Sequence, residues 1–235
     1  MTAVDKSLLY ELRQHDFFKV LDDEALGELV GLTQTKIFSA RKAIFNQGED
    51  GDSLFVILSG RVKIVTISPA GKETVLCFMG PGEVLGEIAV LDSGPRTAGA
   101  IVIEKTRALV LRRSVFMGFL EEHPKAALNI IRVLCGRLRK TDKFVEEMTT
   151  LQAGPRLARA LLRLASQYGK VQPSGGVLVD IKLSQANLGA HAGVVRENVN
   201  RHLKMWEDDG VLEGKDGLIM LHRPEALEQI ADSLN

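Results

Sequence analysis

Gly86-Glu87-Ile88-Ala89-Val90-Leu91-Asp92-Ser93-Gly94-Pro95-Arg96-Thr97-Ala98 is the stretch on which the fold of this chain turns. One short segment holds an acid, an arginine, a hydroxyl and several small residues. Glu87 can accept a hydrogen bond from a ribose hydroxyl. Arg96 can fork two N–H donors onto phosphate oxygens. Thr97 adds a hydroxyl, and the small Gly86 and Ala98 let backbone N–H groups approach an anion. With Ile88 beside Glu87, these residues form a candidate seat for a cyclic sugar-phosphate.

Outward from this segment, residues 35–111 carry short β-rich runs: 37–38, 43–46, 53–58, 61–67, 74–79, 97–103 and 107–111. Glycines at 48, 51, 60, 71, 80, 82, 86 and 94 punctuate them. Short strands between regular glycine turns predict a sandwich or barrel, with tight jelly-roll corners. Residues 5–34 repeat leucines and phenylalanines at helical spacing and predict short helices. After Arg113 the pattern turns helical again. Ser114 is a candidate N-cap for a helix ending near His123, and Pro124 suits the first turn of a long one. Within it Ala127, Ile131, Leu134, Leu138, Thr141, Val145 and Met148 step by four and three, a heptad seam that predicts dimerisation. Gly154-Pro155 predicts a hinge and a new helix, Pro155 to Tyr168. A Pro/Gly loop, 173–176, then precedes a strand over 177–183.

Ser184 caps the next helix. With Gln185 as first position, Leu188, the small Gly189, the turn residue Gly193 and the buried Val199 fall where a helix-turn-helix requires them. The second helix, about Val194 to Asp208, exposes Arg196, Glu197, Asn200 and Arg201. Arginine on guanine and glutamate on cytosine are the pairings that read a G·C base pair. The alternative for Arg196, Glu197 and Arg201 is a solvated charge network. Residues 210–221 predict a hairpin wing turning at Gly214-Lys215-Asp216-Gly217. Ser184 and Gln185 join the four exposed side chains as the candidate DNA contacts.

The whole chain, 235 residues with 30 basic and 30 acidic groups, has no net charge. Residues 124–150 are net +3, residues 1–123 net −3 and residues 151–235 neutral. A nucleic-acid surface must therefore come from placement of charge, not from excess. Two cysteines, Cys77 and Cys135, sit in apolar runs and are expected to be reduced structural thiols. No secretory leader or membrane-length apolar run is visible, which predicts a cytoplasmic protein. No Walker loop, nucleophile elbow or metal-ligand spacing occurs, so no catalytic or metal site is expected.

Taken together, the Gly86–Ala98 and Arg196–Arg201 motifs resemble the cAMP receptor protein / fumarate-nitrate regulator family of bacterial transcription factors. The resemblance implies an α+β chain: an N-terminal cyclic-nucleotide-binding β-roll (jelly roll) over 1–123, a dimerisation helix over 124–150 and a C-terminal winged helix-turn-helix domain over 151–235. It implies a cytoplasmic homodimer, cAMP or cGMP as allosteric ligand, a palindromic DNA site with TGTGA-like half-sites, and RNA polymerase as partner through the loop 168–176. By position, Gly86 and Glu87 contact ribose and phosphate, Arg96 the cyclic phosphate, and Ala98 supplies an N–H. Ile64, Leu76 and Met79 pack around the nucleotide, and Thr141 and Asp142 reach the base from the dimer helix. This chain departs at three places. Thr97 replaces serine, Asp142 replaces serine, and Val195 replaces the usual Ser or Thr cap of the recognition helix. The first two favour guanine beside adenine, as in rhizobial-type regulators answering both nucleotides. A redox- or haem-sensing member of the family and a nucleotide-binding regulatory subunit without DNA binding are the rival readings.

Overall fold

In the computed structural model, residues 6–173 and 175–233 are described. Asp5, where the predicted helical stretch begins, and Ser174, in the predicted loop, lie outside them. The chain divides into two compact units, Met1–Lys140 and Thr141–Asn235.

The first unit opens with two helices, α1 (Lys6–Arg13) and α2 (Asp23–Gly31). Asp22 caps α2 by accepting from the Ala25 N–H, as its side chain is suited to do. The sheet follows: β1 (Gln34–Phe38), β2 (Ala43–Phe45), β3 (Ser53–Ile67), β4 (Glu73–Met79) and β5 (Val84–Leu85). A short helix, α3 (Glu87–Asp92), then leads to β6 (Gly99–Arg112), α4 (Arg113–Glu122) and the long α5 (Pro124–Thr150). All pairings are antiparallel, in the order β1-β6-β3-β4, with β2 on β6 and β5 on β3.

Two runs read from sequence as separate strands are one here. Gly60 does not end β3. The β3–β6 register shifts between Ile57/Ser59, Ser59/Arg61 and Arg61/Val62, and the strand continues through the bulges. A bulge inserts an unpaired residue, bends the strand and increases its twist. A Cβ on Gly60, at φ 90°, would lie 2.4 Å from the Lys105 carbonyl oxygen. The glycine therefore marks a close approach of strands, not a turn.

Alternation along β3 divides the core. Leu54 and Val56 join Leu109, Leu111, Phe116 and the helical Leu26 and Ile130 in one cluster. Phe55 and Ile57 join Phe45, Val62, Met79, Leu85 and Ala100 inside the roll. Successive side chains on a strand point to opposite faces, so one strand serves both cores. Ser114 does not cap α4. The helix begins one residue earlier, behind Arg112, with no side-chain cap.

The second unit holds α6 (Ala153–Tyr168), β7 (Gly169–Val171), β8 (Val177–Val179), α7 (Gln185–Ala192), α8 (Arg196–Asp208), β9 (Leu212–Lys215), β10 (Leu218–Leu221) and α9 (Pro224–Asp232). Its sheet runs β7-β8-β10-β9. Gly154 and Pro155, read as a hinge, are buried in the first turn of α6, and the break lies at Leu151-Gln152. A Cβ on Gly154 would stand 3.2 Å from the His202 ring, so this glycine serves close packing against α8.

Candidate functional site

The corner between β5 and α3 is made by Gly86, in the left-handed region at φ 82°. Glu87 follows as the first residue of α3 and is 2% exposed. Arg96, 4% exposed, returns to the same corner. Its Nη1 donates to the Gly86 carbonyl at 2.7 Å and its Nη2 to the Ser53 carbonyl at 2.6 Å. Its guanidinium lies 4.3 Å over the Phe45 ring, a cation–π contact. Burial pulls the Arg96 pKa below its ordinary value, while Asp52, Glu87 and Glu49 oppose that shift. Guanidinium stays charged in proteins, so the corner holds a fixed positive charge.

The glycines explain how an arginine fits there. A Cβ on Gly86 would lie 2.5 Å from Arg96 Nη1, and one on Gly51 would lie 2.5 Å from the Ala89 Cβ and 3.0 Å from the guanidinium. Arg96 Nε is buried without a hydrogen-bond partner. A buried charged donor left unpaired is costly, and an anion is what would satisfy it. The corner therefore fits a phosphate. Ala98 is buried beside it, whereas Thr97 is exposed and Ile88 is 40% exposed.

Met79 is buried in the roll interior, with Ile64 and Cys77 packed against the same cluster. Ile64 pairs with Cys77 across β3 and β4. Leu76 falls at the adjoining register shift and is 41% exposed. Cys77 is a free thiol whose pKa is pushed up to about 12, chiefly by burial and secondarily by Glu83. It is thus a thiol, not a thiolate, at neutral pH. Cys135, read as a reduced structural thiol, is free and exposed.

The contact that sequence reasoning missed is Arg137. Its Nη1 lies 2.5 Å from Glu87 Oε1, and its Nη2 donates to the Val84 carbonyl at 2.7 Å. Arg137 stands a heptad after the buried Ile130 and three residues after Leu134, which packs on the roll core. That shared helical face was the available signal. Glu87 keeps its second oxygen for another donor.

The expected seam on α5 divides: four of its seven residues, Ile131, Leu138, Thr141 and Val145, are exposed, and three are not. Ala127 and Leu134 pack on the roll core. Met148 lies against Arg156 Nη1 at 3.5 Å and fills the space a Cβ on Gly193 would need. Leu128 and Asp142, outside the expected seam, are also exposed on the same helix.

In the second unit, the Ser184 side chain accepts from the Asn187 N–H at 3.1 Å and caps α7, which begins at Gln185. Gly193 ends it at φ 64°. A Cβ on Gly189 would lie 2.6 Å from the Val194 carbonyl oxygen and 3.2 Å from Val199 Cγ2, so only glycine fits without a shift. Leu188, Val199, Leu203 and Trp206 are buried behind the turn. Recognition helix α8 begins at Arg196, two residues later than expected. Its N-cap, Val195, offers no side-chain hydrogen bond. The first-turn N–H groups are left for other acceptors.

Arg196, Glu197, Asn200 and Arg201 are all exposed. Among the described residues no salt bridge joins Arg196, Glu197 or Arg201 to one another. The wing turns through Asp216 (φ 54°) and Gly217 (φ 79°), both left-handed as a two-residue hairpin of this type demands. Glu207 Oε1 accepts from the Gly214 N–H at 3.0 Å and ties the wing to α8. Between them runs a groove of about 720 Å³, with Asn200, Arg201 and Lys204 on one side and Lys215 on the other.

A roll that seats a buried guanidinium and carboxylate at one corner, on the same chain as a winged helix with exposed cations, defines a ligand-responsive DNA-binding regulator. Residues 35–123 match the cyclic nucleotide-binding domain family and residues 155–230 the Crp-like helix-turn-helix domain family. The chain belongs to the CRP-like family of transcriptional regulators. It is 33% identical over 210 residues to the CRP-like cAMP-activated global transcriptional regulator of Mycobacterium tuberculosis, covering 88% of this chain and 93% of that one. It is 31% identical over 217 residues to the Cyclic AMP receptor protein of Thermus thermophilus, covering 92% and 97%. Among solved structures, the Catabolite Activator Protein of Thermus thermophilus is 31% identical with a TM-score of 0.54, covering 94% and 100%. A CooA mutant from Carboxydothermus hydrogenoformans shares the fold, with a TM-score of 0.77 at 20% identity over 94% and 99%. Among the described residues, no helix is long and apolar enough to cross a membrane.

Proposed function

We propose that this protein is a cyclic-nucleotide-responsive homodimeric regulator that binds palindromic promoter DNA when its β-roll is loaded. The observation that carries the ligand is Arg96, a buried guanidinium with an orphaned Nε at a glycine-lined corner. Arg96 holds the cyclic phosphate, Glu87 accepts from the ribose through its second oxygen, and Arg137 keeps that carboxylate oriented. The Ala98 N–H adds a donor, and Ile64, Leu76 and Met79 supply apolar contact for the base. The names of the M. tuberculosis and T. thermophilus relatives favour cAMP. Thr97 and Asp142 support cGMP as a second ligand, because a carboxylate can accept from guanine N1–H and N2–H₂.

The homodimer reading rests on the exposed apolar line of α5. Leu128, Ile131, Leu138 and Val145 lie on one face of a 27-residue helix, more apolar surface in a row than a lone helix leaves to water. Two recognition helices about 34 Å apart would then read TGTGA-like half-sites through Arg196, Glu197, Asn200 and Arg201, with Ser184 and Gln185 on the backbone. RNA polymerase is the further partner, through the segment 168–176, whose first residues end α6 and form β7 and not the expected loop.

Calorimetry with cAMP and with cGMP, followed by DNA mobility shift at saturating nucleotide, tests the whole reading. Arg96→Leu is expected to remove nucleotide heat while the dimer persists in sedimentation. Unchanged binding of both nucleotides would show that the site lies elsewhere.

A further inference from the structure

We propose that Glu28, Glu122 and His123 form a binding site for one divalent transition-metal ion of the zinc class, which ties α2 to the junction of α4 and α5. None of the three belongs to the Arg96–Glu87 corner or to the winged helix, so the site stands independently of the nucleotide and DNA readings.

Glu28 lies in the last turn of α2. Glu122 is the last residue of α4 and His123 is its C-cap, immediately before Pro124 opens α5. One donor atom from each residue lies within 4.8 Å of the other two. Spacing along the chain gives no sign of this, because Glu28 stands 95 residues from His123. The apolar core makes the approach. Ala25, Leu26 and Leu29 of α2, Phe119 of α4 and Ile130 of α5 share one cluster. The Phe119 ring packs at 4.3 Å on the His123 imidazole and orients it. Both carboxylates are exposed and the imidazole is half-buried, so an ion has access from solvent.

The geometry favours a metal over a plain ion pair. His123 Nε2 and Glu28 Oε2 are 3.3 Å apart. That is longer than the ~2.7–2.9 Å of a charge-assisted N–H···O bond. Donors held at ~2.0–2.1 Å around a tetrahedral ion stand about 3.3–3.4 Å from one another. The charges point the same way. Among the described residues no Lys or Arg forms a salt bridge with Glu28 or Glu122. Two carboxylates therefore share the place without a fixed cation. Both α2 and α4 end there with no basic residue in the last turn. The partial negative charge of a helix C-terminus adds to the attraction for a cation. One imidazole with two carboxylates suits Zn²⁺, with water as the fourth ligand, whereas Mg²⁺ and Ca²⁺ take oxygen donors.

The test uses the full-length chain carrying Cys135→Ser, so that the exposed thiol takes no metal, after treatment with a chelator. Zinc chloride is titrated by calorimetry, and Co²⁺ absorption is read in parallel. One Zn²⁺ per chain is expected, with a rise in melting temperature and four-coordinate Co²⁺ bands that Zn²⁺ erases. Glu28→Gln, Glu122→Gln and His123→Gln are each expected to weaken Zn²⁺ binding about tenfold or more. Glu121→Gln, beside the set on α4, is expected to leave it unchanged. Each variant is melted without metal as well, so that loss of the site is read apart from loss of the fold. Zn²⁺ affinity in Glu28→Gln equal to that of the parent, or an equal melting rise with Mg²⁺ alone, overturns the proposal and leaves His123 and Glu28 as an ion pair.

Discussion

Gly189→Ala is the substitution that best tests how the reading head is built. Two effects oppose one another. Alanine in a helix interior is favoured over glycine by about 1 kcal/mol. Against this, the new Cβ would lie 2.6 Å from the Val194 carbonyl oxygen and 3.2 Å from Val199 Cγ2. The methyl end of Val199 could give by a few tenths of an ångström. The Val194 carbonyl could not move freely, because the Val194 N–H donates to the Gly189 carbonyl at 2.8 Å and the turn is closed on itself. Overpacking of this kind costs about 1–3 kcal/mol, and backbone contact places it at the upper end. The net loss is about 1–2 kcal/mol, confined to the second unit. For a domain of this size that lowers the melting temperature by roughly 4–15 °C. Gly118→Ala in α4 is the control, since its Cβ would meet nothing within 4 Å and the propensity gain stands alone. Calorimetric melting of both variants, with DNA binding at saturating nucleotide, reads the difference. If Gly189→Ala melts at or above the parent and binds DNA unchanged, the close approach of α7 and α8 is not what requires glycine here.

Arg196→Ala is expected to cost about 1–3 kcal/mol at one base pair and to relax specificity there, measured by mobility shift on a panel of single-base variants. Uniform weakening on every sequence would make Arg196 a phosphate contact instead. His202 is held below its ordinary 6.5 by burial, with Arg201 adding to the shift, and its Nδ1 has no partner. The unfolded chain therefore binds the proton more readily. The contribution of His202 to stability is complete above about pH 6.5 and is lost as pH falls from there toward the lowered value. His202→Phe is expected to flatten that acid limb in pH-dependent melting, and an identical slope in both proteins would contradict it. Glu147 is buried and lies 2.5 Å from Arg163 Nη1 and 3.6 Å from Arg159 Nη1. Because both arginines are partly exposed and can rehydrate, Glu147→Gln is expected to cost about 1–3 kcal/mol in denaturant melts, less than a fully buried pair would lose. A loss near zero would place the pair outside the stabilising core.

Local pattern carried a good deal of this. Residues 54–58 are a continuous apolar run, as a strand covered on both faces requires, and its two phases became the two cores of the first unit. Gly189, Gly193 and Val199 were legible because a helix-turn-helix imposes size and φ at fixed spacings. Those are properties of single residues. The continuity of β3 through Gly60 was not legible, since a glycine in a bulge and a glycine in a turn look alike along the chain. The helix starts at Arg113, Ala153 and Arg196 were missed by one or two residues for a related reason. Side-chain caps are read from sequence, and three of these N-caps, Arg112, Gln152 and Val195, make no side-chain cap bond.

The phase of the α5 seam shows where the division falls. A 3.5-residue period on a helix can be read along more than one neighbouring line, because Ala127 and Leu128 are both apolar, as are Leu134 and the thiol Cys135. Sequence alone established that a long amphipathic helix follows a β-roll and precedes a winged helix, and that Glu87 and Arg96 suit a cyclic phosphate. Only the tertiary structure decided which line of α5 the roll consumes and which it leaves exposed, that Arg137 reaches Glu87 across 50 residues, and that Arg96 sits on Phe45 with one donor unspent. The physical reason is that period and propensity are local, whereas burial and charge pairing belong to surfaces that exist only after distant segments meet.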